Sequence, residues 1–222
     1  MAEAKEYQRA RRPEQKEERR AHLIAVAQQM LAENTDLRDL SLNELARRAG
    51  MTKSNVYRYF ESREAVLLEV LGEEWRLVGE SLQRGLRVAP PAMSIEAIAE
   101  LFTGAIAGRH LMLNLTSALP SVIEHNISET RIRDFKEGML SIEQSWASQL
   151  HVRLPELSLE AWREFLRFSG ALMTGLWPLS HPSDRACAVL SEPRYAALRY
   201  DFARDYAQSL QMYLRGLAKA KS

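Results

Sequence analysis

The sequence predicts an all-α fold in which a small N-terminal three-helix unit joins a larger helical domain. Apolar residues recur every three to four positions in almost every segment with a clear period, and no stretch alternates apolar with polar residues strictly enough to form a strand. Helix breakers punctuate the periodic segments, with Gly50, Pro90-Pro91, Pro120 and Pro155 falling between them.

Residues 1–20 alternate basic and acidic groups without an apolar stripe and read as a flexible charged tail. The first helix carries Leu23, Ile24, Ala27, Met30 and Leu31 on one face and closes in the polar stretch 34–39. Ser41 opens the second. With Glu44 it forms a capping box, in which the serine hydroxyl accepts from the Glu44 N–H and the glutamate reaches back. Gly50 stops this helix, and Thr52 caps a third, very short one with Val56, Tyr57 and Phe60. A fourth starts at 62–64, carries Leu67, Leu71, Trp75, Val78 and Leu82, and ends near Gly85 and the Ala-Pro-Pro stretch at 89–91, the best candidate boundary between subregions.

Beyond it, Ser94 caps a helix with Ile98, Leu101, Phe102 and Ile106, and a shorter apolar piece runs from Leu111 to Leu119 before Pro120. Ile132, Phe135, Met139, Ile142, Trp146 and Leu150 mark a long helix. Ser158 opens the next, with Trp162, Phe165, Leu166, Ser169, Leu172, Met173 and Leu176; Trp177-Pro178 either bends or ends it. A last helix is expected to hold Tyr195, Leu198, Phe202, Tyr206, Leu210, Tyr213 and Leu217.

Bulk composition narrows the function less than the motifs do. The chain carries 30 Lys and Arg against 29 Asp and Glu, so charge balance alone names no nucleic-acid partner. Cys187 is the single cysteine, which rules out an internal disulfide or a thiolate zinc cluster and suits a reducing cytoplasm. The longest uncharged run, 168–183, is shorter than the roughly 20 residues that cross a bilayer. No phosphate loop, Gly-x-Ser-x-Gly elbow, His-Glu-x-x-His or cysteine pair is present, and no cofactor is implied. An enzyme using a C-terminal cavity and a helical protein–protein adaptor stay behind the leading reading as alternatives.

That reading comes from residues 41–60. A helix of about two turns, a glycine turn and a capped second short helix form a helix-turn-helix, whose second helix enters the DNA major groove. Lys53, Ser54 and Asn55 fall at the exposed start of that helix, where Lys donates to guanine O6/N7 and Asn pairs with adenine. Thr52, Tyr57 and Tyr59 carry hydroxyls suited to phosphate, and Ser41 and Asn43 begin the preceding helix as secondary contacts. Tyr57 is expected to pack as well as to contact DNA. Arg9, Arg11, Arg12, Arg19 and Arg20 offer a basic arm interrupted by glutamates.

The unbroken run Leu45-Ala46-Arg47-Arg48-Ala49-Gly50-Met51-Thr52-Lys53-Ser54-Asn55-Val56-Tyr57-Arg58-Tyr59-Phe60-Glu61-Ser62-Arg63-Glu64-Ala65 resembles the signature of the TetR family of one-component transcriptional regulators. The match covers roughly 20–70, with Arg63 for the usual lysine, Asn55 for a common threonine and Ser54 for a common glycine or proline. The resemblance implies that Arg63 binds phosphate. It also implies a DNA-binding domain over 21–66 and an effector-binding, dimerising domain over 67–222, together forming a repressor released from a palindromic operator by a small molecule.

For that domain the sequence offers candidates by type and spacing. Phe102, Ile106, His110, Met112, Leu115, Phe135, Met139, Trp146, Phe168, Met173 and Trp177 are candidate pocket walls, with Asn114, His125 and Thr174 as further polar contacts. A helix apolar nearly all round, followed by one with an aromatic stripe, predicts a homodimer interface through Trp162, Phe165, Leu172, Leu176, Tyr195, Phe202, Tyr206 and Tyr213.

Overall fold

The computed structural model describes residues 2–33 and 36–220, with side chains from Glu14 onward, and their regular structure is entirely helical. The helices are α1 (Ala2–Glu33), α2 (Leu42–Arg48), α3 (Lys53–Tyr57), α4 (Arg63–Val88), α5 (Ile95–Ile106), α6 (His110–Ala118), α7 (Glu129–Arg153), α8 (Leu159–Ser180), α9 (Asp184–Leu190) and α10 (Phe202–Lys219). Among the described residues no helix is long and apolar enough to cross a membrane.

The charged stretch expected as a tail is helical and continuous with α1. Its alternation places Glu17 and Arg20 one turn apart, where they pair at 3.2 Å, and Arg20 also pairs with Glu69 of α4. Arg20 is therefore tied to the fold rather than free in an arm; the side chains of Arg9, Arg11 and Arg12 lie outside the described residues.

The small unit closes on Leu23, Ala27, Leu45, Val56 and Phe60, each without measurable exposure. α4 then runs from this core into the larger half, burying Leu67, Leu71, Trp75, Val78 and Leu82 as the periodicity requires. It packs on α1 at one end and on α5, α6 and α7 further along, so a division after residue 66 falls inside a helix and one apolar core spans both halves.

Pro90-Pro91 does not separate subregions. The turn there is held from α7, where Arg153 donates to the Leu86 and Pro90 carbonyls at 2.6 and 3.0 Å and its own carbonyl accepts from the Met93 N–H. Gly85 does not end α4 either; it lies where α4 meets α5, and a Cβ there would collide with Leu101. Pro120 leaves the chain wound, as a wide π turn over Leu119–Ile123 and a 3-10 turn over Glu124–Asn126. Pro178 sits inside α8, which ends two residues later at Ser180; so near the terminus it removes little of the hydrogen-bond ladder.

The last part of the chain departs most from expectation. Ser183 caps α9, and Pro193 starts a 3-10 turn over Pro193–Leu198, so Tyr195 lies outside the final helix. Asp201 then caps α10 by accepting from the Arg204 N–H at 2.8 Å. None of the α9 side chains is buried, which leaves no apolar stripe for periodicity to reveal.

Candidate nucleic-acid interface and ligand cavity

The helix-turn-helix is assembled by local hydrogen bonds. Ser41 Oγ accepts from the Glu44 N–H at 3.2 Å, satisfying one of the unpaired donors at the start of α2. The reciprocal half of the capping box does not form, because the Glu44 carboxylate turns outward to Arg47 and Arg48. Those arginines hold it down to about 2, Arg47 contributing most. Gly50 takes φ +64°, the left-handed conformation that disfavours a Cβ, and the chain turns directly into α3. Thr52 Oγ1 accepts from the Asn55 N–H at 3.4 Å.

Val56 plugs α3 into the core, and this orientation turns Thr52, Lys53 and Ser54 into solvent with Asn55 half-buried beside them. Tyr57 is 49% exposed, with the Lys53 ammonium 5.7 Å from its ring centre. Packing falls instead on Tyr59, whose half-buried ring rests against the core. Ser41 and Asn43 are exposed at the start of α2. Arg63 is held by Glu64 at 2.7 Å and by the Arg38 carbonyl at 3.3 Å. Three of its five N–H groups are used in these bonds. Arg58, the residue that follows α3 as its C-cap, is also exposed.

A polar junction fastens this unit to the start of α7. Arg131 donates to the Tyr59 carbonyl at 2.8 Å and pairs with Glu61 at 3.4 Å and Glu69 at 3.2 Å. Ser62 Oγ donates to the Asn126 carbonyl, and the Ser128 N–H donates to Glu61, both at 2.9 Å. Glu69 also receives Arg20, so a single carboxylate connects α1, α4 and α7. Sequence spacing carries no sign of this cluster, since its partners are up to 72 residues apart.

One turn beyond Arg131, Phe135 enters the wall of a half-open cavity of about 520 Å³. Phe102, Ile106, Met139, Trp146 and Met173 line it, together with Thr174. Trp75, Thr116, Leu119, Lys136, Glu143, Arg167 and Ser169 also line it and were not anticipated as pocket residues. Trp75 and Trp146 lie 6.1 Å apart between ring centres, and the Phe102 ring meets Trp146 edge-on at 6.0 Å.

Other candidates belong elsewhere. Met112 and Leu115 are fully buried core, and Phe168 stacks on Tyr213 at 3.9 Å on the outer side of α8. Trp177 is buried against Phe202 and His181 and donates to Asn114 Oδ1 at 2.7 Å, which occupies both residues. His110 is exposed beside Trp177, and His125 is exposed in the turn before α7.

The expected interface residues need the largest correction. Trp162, Phe165 and Tyr206 have no exposure in the single chain, and Leu176 and Phe202 almost none, so they hold α8 and α10 inside the subunit and cannot meet a partner. Tyr206 donates to the Ser169 carbonyl at 3.3 Å, and burial raises its phenol well above the ordinary value. Leu172 and Tyr213 keep part of their surface. Around α8 the buried face gives way to the cavity edge at Gly170 and Thr174, and then to an outward stripe of Phe168, Ala171, Leu172, Gly175 and Leu179.

Among curated proteins, none matches the chain by sequence. Solved structures match it over most of their length: a tetR-family transcriptional regulator from Streptomyces coelicolor at 18% identity and TM-score 0.59, covering 93% of this chain and 84% of that one. A single-residue variant of TetR from Acinetobacter baumannii, solved with minocycline, aligns at 13% identity and TM-score 0.53 over 90% and 96%. The regulator PfmR from Thermus thermophilus aligns at 15% identity and TM-score 0.51 over 88% and 98%. At these identities the likeness is one of fold. The profile of the tetR family of bacterial regulatory proteins matches residues 23–70, and that of the tetracyclin repressor-like C-terminal domain matches 72–221. The chain therefore belongs to the TetR family of transcriptional regulators.

Proposed function

We propose that this regulator is a homodimeric repressor that reads a palindromic operator through α3 and leaves it when a small, largely apolar molecule enters the cavity between α7 and α8. One observation carries the reading: α4 joins a polar reading face to a cavity walled by aromatic and aliphatic side chains. Lys53, Ser54 and Asn55 read bases, and Ser41, Asn43, Thr52, Tyr57, Tyr59 and Arg63 grip phosphates. Tyr59 also shapes the turn. The cytoplasm is the compartment in which such a protein meets its operator.

The five-residue α3 reaches too few bases to specify a site alone, so two copies bind half-sites about 34–36 Å apart. The surface for pairing is the outward stripe of α8 beside Tyr213 and Met212 of α10, the latter 71% exposed. Sedimentation should give a dimer at micromolar concentration, converted to monomer by Leu172→Glu with Met212→Glu; a monomeric parent protein overturns the dimer.

Selection on random duplexes tests the function itself. It should return a palindrome, and Lys53→Ala or Asn55→Ala should each relax one position of the half-site by about 1–3 kcal/mol. Uniform weakening with a shallower salt slope would make these residues phosphate contacts, and recovery of no specific duplex would overturn the reading.

A further inference from the structure

We propose that residues 182–200 form an arm that grips a second copy of this chain; this rests on the reading of the outward stripe of α8 as the pairing surface. Over residues 178–201 no side chain is buried, and Leu179, Val189, Leu198 and Tyr200 are exposed. The segment is nevertheless built. Ser183 caps α9, which packs on the Pro193–Leu198 turn. Arg199 closes the loop: its Nε donates to the Leu190 carbonyl at 2.6 Å, and its Nη2 to the Ser191 and Glu192 carbonyls at 2.7 and 3.1 Å. Ser191 Oγ adds a bond to the Ala188 carbonyl at 2.6 Å.

Ordering such a segment costs conformational entropy that apolar burial normally offsets, yet its own subunit buries none of its side chains. Between the arm and the end of α8 lies an open groove of about 310 Å³, walled by Leu179, Pro182, Cys187, Leu190, Arg199 and Tyr200. Its place selects the occupant. Leu179 ends the outward stripe of α8 and begins the groove, and Tyr200 stands just before α10, so the groove continues the surface that pairs. That stripe is only a few residues wide, whereas a stable pair of subunits engages roughly 20–30 residues on each side. The arm supplies the missing area. Its charges are of both signs, Asp184 and Glu192 with Arg185 and Arg194, so it carries no single-sign field to attract DNA or an acidic lipid surface and suits a contact between copies.

Cys187 is the only cysteine and is exposed in the single chain, so a thiol reagent reports on the groove alone. Dithiobis(nitrobenzoate) should react with the parent dimer about tenfold more slowly than with the monomer made by Leu172→Glu and Met212→Glu. Independently, Val189→Glu with Tyr200→Glu should raise the dimer dissociation constant about tenfold in sedimentation. Val88→Glu, at an exposed position that ends α4, should leave that constant unchanged. All these arm and control positions are exposed, and unchanged circular dichroism confirms the fold. Equal thiol rates in dimer and monomer, or a dissociation constant indifferent to the arm substitutions, overturns the arm while leaving pairing through α8 and α10 in place. An equal loss from Val88→Glu would trace the effect to added charge and overturn it as well. A monomeric parent overturns the pairing reading and the arm together.

Discussion

The helix-turn-helix and α7 solve opposite problems. α2 and α3 have only twelve residues between them, yet Leu42, Leu45, Ala46 and Val56 are buried and both helices begin on side-chain caps. α7 has 25 residues and buries only Trp146, Ala147 and Leu150, all near its C-terminal end. Its middle, with Phe135, Met139 and Ile142, borders the cavity, and its start is fastened to the DNA-reading unit through Arg131. The first region is a closed surface whose shape is set by its own contacts. The second is held at its ends and underpacked between them, so it can respond to what fills the cavity. The proposed function would use both: a reader held by its own contacts, and an element whose packing a ligand would complete.

Truncation at the two places should show the contrast most strongly. Phe60→Ala removes a fully buried ring from the reader's core and should cost about 3–5 kcal/mol of stability, whereas Met139→Ala enlarges an existing cavity and should cost less than about 1 kcal/mol. Denaturant unfolding compares them directly, and equal losses would mean that the α7 wall is ordinary core.

Next in size is the fastening. Arg131→Ala should weaken operator binding by roughly tenfold, in line with the loss of charge-assisted bonds worth about 1.5–3 kcal/mol. It should also broaden the tolerated half-site spacing and speed amide exchange at residues 59–62, while Arg131→Lys restores part of each effect. Unaltered spacing selectivity would show that α7 does not orient the reader.

Gly50→Ala tests whether the reader's turn depends on its left-handed residue. A loss of about 1–2 kcal/mol is expected, from the Cβ clash at φ +64°, with no change in the cavity's affinity for a probe. The smallest effect is acidic. Glu44 titrates near 4.3 in an unfolded chain and at about 2 here, so its pairing with Arg47 and Arg48 stabilises the fold above pH 4 and is lost as the pH falls through about 2. The stability difference between the parent and Glu44→Gln should shrink over that interval, and a difference constant with pH would remove the pair from the account.

How much was legible in the sequence follows the same divide. Caps, the glycine turn and i to i+3 bonds act within four residues, so Ser41, Gly50, Thr52 and Ser62 fall where the string places them. Glu44 is the exception: two arginines on its own helix outcompete a backbone N–H for one carboxylate. In the larger half, helical period marked most elements but not their roles. Trp162, Phe168 and Met173 all lie on α8 with apolar character, yet one is core, one faces outward and one lines the cavity. Period says that a face is apolar and not what covers it.

The sequence by itself determined an all-helical chain, the caps and turn of the reading unit, and the residues it presents, because these depend on interactions between near neighbours. Only the tertiary structure decided which apolar faces close on one another, where a cavity is left open, and how Arg131 joins α7 to the reader. Those outcomes depend on packing among segments tens of residues apart, where volume and the competition between partners, rather than local spacing, select the contact.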